Sequence, residues 1–234
     1  MSPPLADCIA LVTGASRGIG YATALARTVG GLEELDDAIK AAGGSATLVP
    51  LDLKDYAGID RLGLALRERF GRLDVLIGNA GILGPLSPLG HVDAKTWDEV
   101  LAVNVTANWR LICAMDPLLR LSDAGRAVFV SSGVAALALA YWGPYAVSKA
   151  ALETLARTYA AETATTNVRI NLFTPGPIRT RMRAQAFPGE DPMTLETPDK
   201  VADSIVRLCL PSMQESGKLY AYQDARFLQF RAPA

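Results

Sequence analysis

Histidine occurs once in this chain, at His91, and the three cysteines, Cys8, Cys113 and Cys209, stand far apart with no Cys-x-x-Cys pair. That leaves no spacing for a His/Cys metal centre or a disulfide framework, and an odd set of thiols suits a reducing compartment. An excess of either charge is also lacking. Lys and Arg number 23 against 24 Asp and Glu, so there is no basic footprint for nucleic acid or anionic lipid. No apolar run reaches the length of a bilayer span. The opening Met1-Ser2-Pro3-Pro4 carries neither a basic n-region nor an apolar h-region. The expectation is a cytoplasmic protein with no metal, no membrane partner and no nucleic-acid partner. Apolar residues are plentiful, at 50% of 234, which is enough for one well-buried domain spanning residues 1–234.

Short apolar runs alternate with helical patterns. Strands are expected at 8–14 (CIALVTG), 46–53 (ATLVPLDL), 73–81 (LDVLIGNAG), 126–132 (RAVFVSS), 168–176 (VRINLFTPG) and, last, 218–222 (KLYAY). Helices are expected at 18–27, 31–41, 58–71, 96–121, 144–163 and 198–209. Strands alternating with helices imply an α/β fold: a doubly wound, Rossmann-like parallel sheet with helices on both faces. No linker, internal repeat or low-complexity tract interrupts it.

Three stretches carry chemistry. The first is TGASRGIG, Thr13 to Gly20, which follows a strand and opens a helix. Gly14 permits a tight turn, and Gly18 and Gly20 let the backbone approach a pyrophosphate held by helix N–H groups. An ordinary glycine-rich turn fits the same residues. The second is PYAVSKAAL, 144–152, where Tyr145 and Lys149 are four apart and share one helix face. A lysine ammonium beside a tyrosine favours the phenolate, and such a tyrosine can exchange a proton with a substrate oxygen. A surface Tyr and Lys on an amphipathic helix is the plain alternative. The third is Ser131-Ser132 at a strand end, where a parallel sheet exposes its ligand-binding edge, although turn serines are common there. His91 sits in a polar stretch and is expected at the surface.

Taken in order, TGxxxGxG, Asn79-Ala80-Gly81, Asn104, the serine pair, YxxxK and Pro175-Gly176 resemble the short-chain dehydrogenase/reductase family over about residues 5–222. The resemblance implies a Rossmann-like fold that binds NADP or NAD and interconverts a carbonyl and an alcohol. It implies Tyr145 as acid/base, with Lys149 holding the nicotinamide ribose and lowering the tyrosine pKa. Ser132, thirteen positions before Tyr145, would orient the substrate. Asn104 would place a water beside the lysine. Gly14, Ser16, Arg17, Gly18, Ile19 and Gly20 would cradle the dinucleotide. Asp52 and Leu53 would contact adenine, and Asn79, Ala80 and Gly81 would flank the adenosine. Pro175, Gly176, Ile178 and Thr180 would lie against the carboxamide. The family commonly forms dimers or tetramers through its long helices. Trp109, Leu111 and Met115 could serve such an interface, and core packing explains them equally well.

One departure stands out. After the first helix the family has a second strand whose last residue reads the adenosine ribose, and nothing between Gly20 and Leu32 can be that strand in addition to a helix. A true deletion is one explanation. A sequence that joins two ends across a segment it does not contain is another, and is favoured. A shortened helix with TALARTV as strand is disfavoured by its alanines. If Ala26-Arg27 is that strand's end, Arg27, with Arg17, leans toward NADP.

The uncharged stretches 81–90 (GILGPLSPLG) and 133–144 (GVAALALAYWGP) suit an apolar carbonyl substrate, or simply pack beneath the site loop. Residues 180–200 fall where the family keeps a mobile lid. Their neighbours Arg179, Arg181 and Arg183 suit a solvated face better than an anion site. The C-terminal YQDARFLQF departs from the family's closing pattern. With the ribose-reading strand gone, a non-catalytic nucleotide sensor or scaffold of the same fold is the alternative function. An adenosyl-dependent methyltransferase gives no reason for YxxxK.

Overall fold

Six strands form one sheet in a computed structural model that describes Leu5, residues 8–20, Asp37, Ile39 and residues 45–230. They are β1 (Ala10–Val12), β2 (Val75–Gly78), β3 (Arg126–Val130), β4 (Arg169–Thr174), β5 (Leu219–Ala221) and β6 (Arg226–Leu228). Spatial order follows chain order, with β1 to β5 parallel and β6 antiparallel to β5. Parallel neighbours need crossovers, and helices supply them. These are α1 (Tyr56–Phe70), α2 (Ala94–Leu101), α3 (Ala107–Leu119), α4 (Val134–Leu137), α5 (Gly143–Glu162), α6 (Arg181–Ala186) and α7 (Pro198–Leu208).

The continuous apolar strands are buried on both faces because their side chains alternate between two helical layers. Leu11, Leu76 and Ala127 sit side by side in register, and with Phe129, Ile170 and Leu172 they pack on Ile59, Leu111, Met115, Leu152 and Tyr159 of α1, α3 and α5. The intervening Val75, Val128, Val130 and Phe173 pack on Val201, Ile205 and Leu208 of α7. This is the doubly wound arrangement expected from the alternation of elements. Leu111 and Met115 therefore belong to the core, while Trp109 is exposed on the outer side of α3.

Local signals explain the helix ends. Asp55 caps α1 by accepting from Gly58 N, and Gly71, at φ +73°, closes it in the left-handed conformation. Asp93 caps α2 in the same way from Thr96 N. The expected helix over 96–121 is present but not uniform. It widens into a π-turn over Ala102–Thr106, where Ala107 N bonds Ala102 O, five residues back.

Two expectations change. Residues 46–53 do not form a strand: Val49 alone makes a bridge, and Pro50 offers no N–H to extend a ladder. Val49, Leu51 and Leu53 pack instead against the α1/α3/α5 layer. Nor is β5 the last strand. The chain reverses at Tyr222–Ala225, with Ala225 at φ +50°, and returns as β6, placing Phe227 edge-on against Tyr220. The expected helices at 18–27 and 31–41 lie mostly outside the described residues. Gly18–Gly20 form one 3-10 turn, and Asp37 and Ile39 are helical. The question of a second strand between Gly20 and Leu32 also falls outside them.

Among the described residues no helix is long and apolar enough to cross a membrane.

Candidate active site

The loops that follow β1, β2, β3 and β4 gather at the carboxyl ends of the strands, where a parallel sheet binds its ligands. The β1 and β2 loops are braced against each other. Thr13 Oγ1 accepts from Asn79 N and Ala80 N, each at 3.0 Å, and Asn79 Nδ2 donates to Thr13 O at 3.0 Å and Gly14 O at 3.3 Å. Glycine is required in this brace. Gly14 holds φ +67°, and a side chain there would meet Ala80 Cα at 2.9 Å. A Cβ on Gly20 would fall 2.3 Å from Asn79 Nδ2 and 2.6 Å from Gly14 O. The turn thus presents bare backbone at the start of a helical turn, a fit for a phosphate group.

Gly18, at φ +63°, approaches Thr180 Cγ2 within contact of a Cβ, so the glycine turn and the β4 loop face each other. Thr180 also caps α6 by accepting from Arg183 N at 3.2 Å. Ile178 is buried and bridges to Glu196, and Gly176, at φ +73°, lies under Gln223. Pro175 O accepts from Gln223 Nε2 at 3.4 Å. Ile19 packs against the α7 layer. Ser16 is half-buried and Arg17 exposed on the turn. Asp52 accepts from Lys54 N at 3.0 Å, and Leu53 packs on the core. Arg27 lies outside the described residues. His91 is exposed in a short 3-10 turn.

The helix α5 carries the second cluster. Pro144 opens its first turn, where a missing N–H costs nothing. Tyr145 and Lys149, one turn apart, are only 7% and 3% exposed, so the surface alternative for this pair does not hold. The Ser132 hydroxyl stands close enough to the Tyr145 phenol to favour its ionised form. Lys149 Nζ lies 5.7 Å from the Tyr145 ring centroid and donates to Val130 O at 2.8 Å. A Cβ on Gly81 would sit 3.4 Å from Lys149 Nζ and 3.3 Å from Asn104 Oδ1, so that loop closes over both.

Asn104 is fully buried in the π-turn. Its Oδ1 accepts from Ile82 N at 2.8 Å, and its Nδ2 donates to Ile82 O and to Ser148 Oγ, each at 2.9 Å. Ser148 Oγ in turn donates to Tyr145 O at 2.7 Å. Asn104 thereby ties the β2 loop to the first turn of α5. Its own carbonyl accepts from Asn108 Nδ2 at 2.8 Å.

Electrostatics follow burial. Desolvation pushes the Tyr145 phenol up to about 12, with the Ser132 hydrogen bond pulling the other way. Desolvation brings the Lys149 ammonium down to about 8, opposed by the nearby Glu153 carboxylate. The sequence expectation was a phenol lowered by its lysine. Here burial sets the direction, because the ammonium is directed at Val130 O and not at the phenol oxygen.

Ser131, the serine passed over in favour of Ser132, is also employed. It is buried and donates to Glu153 Oε1 at 2.6 Å. Glu153 was missed from sequence, although its place four residues after Lys149 was a usable signal. Leu89, Leu137, Leu139 and Tyr141, which precede Tyr145 in the sequence, are all exposed. Trp142 packs between Tyr145 at 6.1 Å and Phe187 at 5.7 Å. Arg183 stacks on Phe187 at 3.7 Å and pairs with Glu190, while Arg179 donates to Pro192 O and Leu195 O. These two arginines hold the 180–200 segment together.

The family described as short chain dehydrogenase matches residues 8–191. The oxidoreductase YciK of Escherichia coli K12 is 39% identical over 209 residues, covering 83% of this chain and 82% of that protein. Among solved structures, a short chain dehydrogenase of E. coli CFT073 complexed with NADPH superposes with a TM-score of 0.88 at 35% identity, over 94% of this chain and 98% of that one. Another, from Shigella flexneri 2a and complexed with NADP, gives 0.90 at 34% identity, over 95% and 100%.

Proposed function

This chain belongs to the short-chain dehydrogenase family of oxidoreductases, and on that premise we propose that it reduces an apolar carbonyl compound with NADP(H), using Tyr145 as proton donor. The observation that carries the reading is that the half-buried Ser132 adjoins the buried Tyr145 and Lys149 at the sheet edge that also holds the glycine turn. Gly14, Ser16, Arg17, Gly18, Ile19 and Gly20 would hold the phosphates. Asn79, Ala80 and Gly81 would line the adenosine side, with Asp52 and Leu53 beyond. Pro175, Gly176, Ile178 and Thr180 would lie along the nicotinamide. A nicotinamide bound there would supply the hydride.

The chain's own residues supply the rest. Burial raises the Tyr145 phenol to about 12, so it is a proton donor at neutral pH. Charge that develops on a carbonyl oxygen is met by hydrogen bonds from Ser132 and Tyr145, and Tyr145 delivers the proton. Lys149 holds positive charge one helical turn away and would bind ribose hydroxyls. Asn104 fixes the first turn of α5, through Ser148, so that these groups keep their spacing. The exposed Leu89, Leu137 and Leu139, with Trp142 and Phe187, favour an apolar substrate over a charged one.

The preference for NADP(H) rests on Arg17 at the glycine turn and on the NADPH and NADP complexes of the two similar structures. Residues 1–234 act as one domain in this reading. Assembly is proposed as a homodimer or homotetramer, with the exposed Trp109 on α3 at the contact.

The test is Tyr145→Phe. It should keep its fold and its NADPH affinity while NADPH-dependent reduction of aromatic ketones falls by about 100-fold or more. NADPH and NADH should be compared on the wild type. A wild type that binds dinucleotide but turns over no carbonyl would replace this reading with the sensor or scaffold.

A further inference from the structure

Lys149 and Glu153 are four apart on α5 and so lie on one face, one above the other. The end of β3 holds both. Val130 O accepts from Lys149 Nζ at 2.8 Å, and the next residue, Ser131, donates its hydroxyl to Glu153 Oε1 at 2.6 Å. The carboxyl group is therefore fixed in place, on a residue only 8% exposed. Glu153 takes no part in the proton transfer described above, and a buried carboxylate is costly unless it is paired and hydrogen-bonded. Within a protein interior, opposite charges interact far more strongly than at the surface.

We propose that Glu153, held by Ser131, is a positioning residue that keeps Lys149 in its charged form beside Tyr145. The proposal rests on the reading of Tyr145 and Lys149 as the proton-transfer pair. The charged groups facing Glu153 are Lys149 one turn before it and Arg157 one turn after it, while β3 contributes only the Ser131 hydroxyl. Arg157 also covers the Phe230 ring at 4.2 Å. Burial drives Lys149 toward neutrality, and the Glu153 charge opposes that drift. Burial equally drives Glu153 toward its neutral acid, and the Ser131 hydrogen bond, Arg157 and Lys149 hold it back. Each group thus helps the other stay ionised.

The experiment is an NMR titration of 13C-lysine-labelled protein without nucleotide, with the Lys149 resonance assigned by its loss in Lys149→Met. Wild-type Lys149 should titrate near pH 8. Glu153→Gln keeps an acceptor for Ser131 but removes the charge, and should lower that midpoint by about one unit. Glu153→Asp should restore part of the shift. If Glu153→Gln fails to fold, Ser131→Ala, which keeps the carboxylate but loosens it, should lower the midpoint by a smaller amount. In the same variants the alkaline limb of the kcat profile with NADPH should move down in parallel, with little change in KM for the ketone. A Lys149 midpoint that does not move in either Glu153→Gln or Ser131→Ala overturns the proposal. A midpoint that moves in a protein reducing no carbonyl supports the Glu153–Lys149 link and removes the catalytic reading of the pair.

Discussion

Replacing Lys149 by Met should change how stability depends on pH in a way that can be calculated. In the folded protein the Lys149 ammonium has a pKa of about 8, against an ordinary value of 10.5. The folded state therefore releases this proton before the unfolded chain does. Between those two values the unfolded chain binds more protons, so stability rises with pH. Below about pH 8 the buried charge costs the fold about 3 kcal/mol, from 2.5 units at 1.36 kcal/mol each. From about pH 8 to about pH 9.5 the wild type should recover about 2 kcal/mol of that cost. Lys149→Met lacks the titrating group and should show none of this gain. Tyr145 acts in the opposite sense. Its folded value of about 12 exceeds the ordinary 10.0, so it lowers stability only above about pH 10. Stopping at about pH 9.5 keeps it out of the comparison. The assay is urea unfolding followed by tryptophan fluorescence at several pH values, with both proteins at equal concentration. All groups common to both proteins cancel in the difference. Two curves that run parallel from about pH 7 to about pH 9.5 would show that Lys149 keeps its proton in the fold, and the argument from burial would be refuted.

Gly20→Ala should leave a folded protein with at least about tenfold weaker NADPH binding by calorimetry, because a Cβ there meets Gly14 O at 2.6 Å and forces the turn open. Unchanged affinity would mean that this turn does not hold the phosphates. Phe129→Ala, in the fully buried middle of β3, should destabilise the fold by about 3–5 kcal/mol in the same urea assay. A loss below about 1 kcal/mol would mean the two layers collapse around the gap.

The placement of the candidate groups was legible in the sequence because it is written at short range. A glycine turn after an apolar run, and a Tyr and Lys at helical spacing, place their own groups through local geometry alone. Gly14, Gly18 and Gly20 stand where that reasoning put them, and Tyr145 and Lys149 share one face of α5. The strands could likewise be located from runs such as 126–130, since burial on both faces demands unbroken apolar residues. Other features were decided only by residues far apart in the chain. Residues 46–53 have a strand's composition but lack a ladder, whereas Arg226–Leu228 became a strand because β5 stood ready beside it. Asn104 finds its partners 22 and 44 residues away, and Ser131 finds Glu153 22 residues away. The direction of the Tyr145 shift belongs to this second kind. Spacing put a cation near the phenol, but desolvation is a property of everything packed around it, and only the assembled fold determines how much water is excluded.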